Sequence, residues 1–198
     1  MRNITTLEGD WQFNHKSHIV TYTCGYCGHG VASEEGCNAQ RQIAESYLEE
    51  YETVASIRIC PYCNCPTFII YDFVQIPGEL PGHPVTSIPT EIDAVYEEAR
   101  RSIASEAYTG AVLLFRKILM HMAVERGAPA NASFAEYVDY LVQTGDVPSS
   151  AKSWVDFIRK RGNDATHKIT VMEKQDALVL LNFVEMLLRI LYEYPAKV

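Results

Sequence analysis

No stretch of this 198-residue chain combines the length and apolarity needed to span a bilayer. The most apolar segment, Ala177 to Tyr192, is interrupted by Asn182, Glu185 and Arg189. It also falls short of the roughly 20 residues that a transmembrane helix requires. The opening residues, MRNITTLEGDWQF, lack the apolar run of a signal peptide, so the expected setting is the cytoplasm. Positive charge is scarce: 17 Lys and Arg stand against 25 Asp and Glu, a formal net charge of −8. That balance argues against a protein that coats nucleic acid non-specifically. There is no glycine-rich phosphate-cradling loop, no internal repeat and no low-complexity tract. With 47% apolar and 21% charged residues, the composition is that of a folded domain rather than a disordered chain.

What is present divides the chain in two. Residues 1–85 carry 4 basic and 10 acidic side chains, a net of −6, whereas 86–198 carry 13 and 15, a net of −2. The first part reads as short strands and turns. His18 to Thr23, Ser56 to Ile59 and Pro66 to Val74 are strand candidates, and the aromatic residues from Phe68 to Phe73 alternate as core strand residues do. Asn38 to Tyr51 fits either a short helix or a hairpin extension. Pro77 to Pro89 contains four of the nine prolines and predicts an extended linker.

Beyond it the period changes from two to about 3.6. Thr90, followed by Glu91 and Asp93, predicts an N-cap and a helix to about Ser105. A second helix is expected over Tyr108–Arg126, ended by Gly127 and Pro129. Ser133 and Glu136 form a capping box for a third, which runs to Thr144. A fourth should start at Ser149 or Ser150 and stop at Gly162-Asn163. The last, from about Val171 to Tyr194, is apolar around most of its circumference and must be central to the core or shared with a partner. The fold class is therefore α+β: a β-rich module over 1–76, a linker over 77–89 and a bundle of about five helices over 90–198.

Cys24-Gly-Tyr-Cys27 and Cys60-Pro-Tyr-Cys63 are two C-x-x-C pairs separated by 32 residues. Such turns aim both thiolates at one ion while backbone N–H groups stabilise their charge. Two of them complete a tetrahedral four-cysteine cage that suits Zn2+, and without a secretion signal disulfides are disfavoured. A closed set of four thiolates leaves no open coordination position, so the ion is structural. It replaces the apolar core that so few strand residues cannot build alone. The pattern resembles a zinc ribbon. Cys65 follows the second pair too closely to replace Cys63 without distorting the turn, although the C-N-C spacing leaves that register open. His29 is an alternative ligand but with four cysteines at hand is more often a bystander, and Cys37 is left over.

The segment Trp154-Val-Asp-Phe-Ile-Arg159-Lys-Arg161-Gly-Asn163-Asp164-Ala-Thr-His167 gathers two arginines, an amide, a carboxylate and an imidazole around an expected helix end. Within Ser149–Lys168 five basic residues face two acids, a local positive patch that can steer an anionic ligand. Arginine grips phosphate bidentately and histidine exchanges a proton near neutral pH. Together they suit metal-independent cleavage of RNA, with His167 taking the 2′-OH proton and an arginine stabilising the phosphate. The same groups also suit an ordinary helix end, in which the amide caps backbone groups and the imidazole packs beneath.

The IRKRGNDATH string, set between WVDF and a long Leu-rich helix and preceded by a cysteine-pair module, resembles the bacterial domain-of-unknown-function family 4145. The resemblance covers roughly Pro89 to Tyr194. It implies a relative of the HEPN superfamily, whose ribonucleases are dimeric helical bundles with an Arg–His pair from each copy at the subunit interface. Arg161 and His167, with five residues between them, fit that spacing. Arg159 stands where the family's arginine before Gly-Asn usually sits, so both arginines are carried, with Asn163 or Asp164 as the polar partner.

Two functional readings follow. The first is a zinc-binding, HEPN-like homodimeric adaptor or regulator in a nucleic-acid-processing or defence system. Its acidic ribbon, made more negative by four thiolates on one Zn2+, meets a protein partner. The second is a metal-independent endoribonuclease of the toxin or phage-defence type, with RNA at the Arg–His segment.

Overall fold

Strands occupy the first part of the chain and helices the second. A computed structural model describes residues 18–42, 51–70, 74–148, 154 and 171–197. The chain divides into two compact units, Met1–Leu80 and Pro81–Val198.

In the first unit β1 (Val20–Thr23) and β2 (Gly30–Ser33) form an antiparallel hairpin. A second antiparallel sheet has the order β3-β4-β5-β6, from β3 (Gly36–Gln42), β4 (Tyr51–Ile59), β5 (Pro66–Ile70) and β6 (Val74–Ile76). Of the ambiguous segment, 38–42 lie in β3 and Tyr51 opens β4, while 43–50 lie outside the described residues. Gln42 pairs with Tyr51 and Cys37 with Ile57, with a bulge at Ala39/Gln40. Few large apolar side chains are buried here. The interior cluster is Cys24, Val31, Cys60, Cys63 and Cys65, with Tyr22, Tyr26 and Cys27 against it. Thiols stand where a larger domain would place Leu and Phe.

The second unit contains α1 (Thr90–Ala104), α2 (Tyr108–Glu125), α3 (Phe134–Gln143) and α4 (Lys174–Leu188). Each buries an apolar stripe at helical spacing, such as Ile92, Tyr96, Ala99 and Ile103 on α1. α2 is the hub and packs against the other three. α4 buries Leu180, Leu181, Phe183, Val184, Leu187 and Leu188, as a helix apolar on most sides must. Two ends differ from expectation. Thr90 is the first helical residue rather than the cap; Pro89 caps the helix with no side-chain hydrogen bond. The last helix widens at Arg189–Glu193 into a π turn, closed by the Tyr194 amide donating to the Arg189 carbonyl at 2.8 Å, before a 3-10 turn over Pro195–Lys197. The expected helix over 149–162 lies outside the described residues except for Trp154, whose ring meets Phe183 edge-on at 6.1 Å.

The proline-rich segment has neither helix nor strand, yet from Pro81 onward it is fastened to the helices. Arg100 donates to the Pro81 and Gly82 carbonyls at 2.8 and 3.0 Å, and the Tyr96 hydroxyl donates to the His83 carbonyl at 2.9 Å. Val85 is buried in the helical core. Glu185 accepts the His83 amide at 2.9 Å and the Arg189 guanidinium at 3.0 Å. Burial acts to raise the Glu185 carboxyl, but these donors more than offset it and hold it below the usual range.

Candidate metal centre

Both cysteine pairs sit in the turns of antiparallel hairpins, Cys24–Cys27 between β1 and β2 and Cys60–Cys63 between β4 and β5. The two turns share one backbone plan. The Gly28 amide donates to the Cys24 carbonyl and the Asn64 amide to the Cys60 carbonyl, both at 2.8 Å. The Cys24 amide donates to the His29 carbonyl at 2.9 Å, and the Cys60 amide to the Cys65 carbonyl at 3.0 Å. The residue after each second cysteine is left-handed, Gly28 at φ 73° and Asn64 at φ 60°. Glycine and asparagine tolerate that conformation best. Cys65 thus occupies the place that His29 holds in the first turn; its thiol is buried 3.5 Å from the Cys63 carbonyl, outside the ligand cluster. Gly25 is fixed by close approach. A Cβ there would collide with the carbonyl oxygens of Pro77 and Gly78, so the backbone after β6 closes over the first turn. The Gln75 amide reinforces this by donating to the Thr23 and Pro77 carbonyls at 2.8 and 2.9 Å.

The four sulfurs of Cys24, Cys27, Cys60 and Cys63 lie within 4.8 Å of one another. Cys24 Sγ is 3.7 Å from Cys63 Sγ, and Cys27 Sγ is 3.7 Å from Cys60 Sγ. A tetrahedron with metal–sulfur bonds of about 2.3 Å has edges of about 3.8 Å, so these two edges already match a tetrahedral site and the others lie within 4.8 Å. Cys24, Cys60 and Cys63 are buried, and none of the six cysteines is in a disulfide. Burial pushes the Cys27 thiol up to about 11 and raises Cys63 as well. It acts on Cys60 too, but the Cys63 and Tyr62 amides hold that thiol below its usual value. Four thiols this close cannot all ionise unless a cation neutralises them, and this is the chemistry of a tetrathiolate site. The chain therefore holds a cluster of four cysteines that could bind a metal ion.

Arg159, Arg161, Asn163, Asp164 and His167 lie outside the described residues. The family comparison speaks to that part of the chain. A family model described as "Domain of unknown function (DUF4145)" matches residues 97–198. The chain belongs to the DUF4145 family. The DUF4145 match starts within α1 and covers α2, α3, the Arg–His segment and α4; the cysteine cluster stands before it. Comparison with curated proteins and with solved structures gave no match. No described helix is long and apolar enough to cross a membrane.

Several supports of the cluster escaped the sequence reading: Gly28 and Asn64 at the left-handed positions, the approach of Gly25 to Gly78, and the Gln75 tie. The matching strings Cys-Gly-Tyr-Cys-Gly and Cys-Pro-Tyr-Cys-Asn were the available signal, since a residue able to turn left-handed follows each pair.

Proposed function

We propose that this DUF4145 protein is a non-catalytic adaptor. In this reading Zn2+ occupies the cysteine cluster as a zinc ribbon, and a HEPN-like helical bundle supplies the dimerising half in the cytoplasm. The supporting observation is the closed donor set. Four buried or half-buried thiols at tetrahedral spacing leave no coordination position for water or substrate, so the ion supplies fold rather than chemistry. Cys24, Cys27, Cys60 and Cys63 would hold it, the turn amides would offset thiolate charge, and the unit around it would present a surface to a protein partner. The acidic balance of residues 1–85 favours a partner with basic character over a nucleic acid. On this reading Arg159, Arg161, Asn163, Asp164 and His167 join helices rather than cut RNA.

The test is incubation of the full chain with single-stranded RNA, with and without chelator. The adaptor reading predicts no cleavage above buffer. Cleavage that persists in chelator, spares a DNA copy and disappears in His167→Ala would replace it with the ribonuclease.

A further inference from the structure

The four-stranded sheet of the N-terminal unit is inside out. Its register sets Ile57, Phe68 and Ile76 side by side, with Ala55, Ile70 and Val74 as the next row on the same face. The alternate rows hold Arg58 beside Thr67, then Ser56, Ile69 and Gln75. Pleating sends these two sets to opposite faces. The polar set is the one inside: Arg58 and Thr67 are 0% exposed and Ser56 is 2%. Arg58 is held there by the Cys37 carbonyl at 3.3 Å and by Asn38 at 2.7 Å. On the other face Ala55 and Ile59 are buried at 8% and 1%, but Ile57, at 36%, and its neighbours on β5 and β6 are exposed. Phe68, which the sequence pattern placed in the core, is 39% exposed, and Ile70, Val74 and Ile76 are 38%, 44% and 54%. A sheet that buries its arginine while Ile57, Phe68, Ile70, Val74 and Ile76 are exposed together on the opposite face carries a patch suited to being covered.

From this face we infer a docking site for one amphipathic α-helix of a partner protein, bearing Lys or Arg on the borders of its apolar stripe. The inference rests on the adaptor reading and gives it a surface. Three observations select this occupant. The patch is three strands wide, roughly 10 Å, which is the diameter of one helix. Its apolar side chains expose on the order of 400 Å2, about half of what each partner contributes to a standard interface, so two copies meeting here would be undersized. The described strand ends carry Glu34 and Glu35 before β3, Glu52 on β4 and Glu79 beyond β6. Among the described residues of this unit Arg41 is the one cation besides buried Arg58, and it is paired to Glu52 at 2.7 Å. With four acids against two arginines among the described residues of this unit, a second copy would bring net negative charge against net negative charge, whereas a basic helix meets opposite charge.

The probe is a fluorescent helical peptide of Leu and Lys with its Leu residues on one stripe, titrated by anisotropy into the metal-loaded full chain. A matching Leu/Glu peptide is the control. The Leu/Lys peptide should bind, the Leu/Glu peptide should bind at least about tenfold more weakly, and Phe68→Gln/Ile70→Gln/Ile76→Gln should weaken the Leu/Lys peptide at least about tenfold. Metal content of the triple variant, and a single Ile76→Gln at the sheet edge, report folding. Equal binding by the variant, or equal binding of both peptides, overturns the inference. So does sedimentation showing a wild-type dimer that the triple variant dissolves, because the occupant is then a second copy. A failed titration leaves the adaptor reading standing, while RNA cleavage removes that reading whatever the peptide does.

Discussion

Asp146 shows what one residue does for the helical unit. Its carboxylate is buried after α3 and accepts from Arg126 Nε at 3.1 Å and from the Thr144 hydroxyl at 2.7 Å. The Arg126 guanidinium holds the carboxyl below its ordinary range. A carboxyl whose folded-state value is depressed stabilises the fold above its unfolded value, near 4, and that stability is lost as pH falls through the folded value. Asp146→Asn should cost about 1–2 kcal/mol at neutral pH, since Arg126 is half exposed and the pair is partly screened. Denaturant melts should show the gap between variant and wild type closing below about pH 4. Asn64 is the counterpart at the metal cluster. Asn64→Gly keeps the left-handed turn and should bind metal as the wild type does, whereas β-branched Asn64→Val should weaken metal affinity measured by competition with a chromophoric chelator.

At the scale of elements, α3 is the helix whose ends are best explained. The Ser133 hydroxyl accepts the Glu136 amide at 3.4 Å, and Glu136 accepts the Ser133 amide at 2.6 Å. Ser133→Ala should cost about 1 kcal/mol in thermal or urea melts without changing oligomeric state. This capping box was readable because both partners lie within one turn of sequence. α2 was readable too, bounded by Gly127 and by its apolar period. The β1–β2 hairpin was only half readable: Gly30–Ser33 has no strong strand composition and is set by pairing Val31 with Tyr22 across the cysteine turn. Phe68 misled because its alternation is genuine but faces water, and alternation alone does not say which face is inside. The fastening of the proline segment was not readable either. Its composition says extended, while its attachment at Pro81 and Gly82 depends on Arg100, far along the chain.

At the scale of the whole molecule the two units are stabilised by different physics. The helical unit buries an apolar cluster that runs from Val85 to Leu188. The N-terminal unit has cysteines in place of that cluster. Metal affinity should fall as pH falls, because each liganding sulfur must be deprotonated to bind and acid favours the protonated, metal-free chain. Cys60→Ser should abolish stoichiometric metal and unfold the first unit alone. In the proposed reading a bound cation is the core of that unit. The most direct test of this claim is the 1H–15N spectrum of the full chain before and after zinc is stripped by a strong chelator. We expect dispersed amide signals of β1 to β6 to collapse while those of α1 to α4 persist, and one equivalent of zinc to restore them. Dispersed signals from both units in the metal-free chain would contradict the claim.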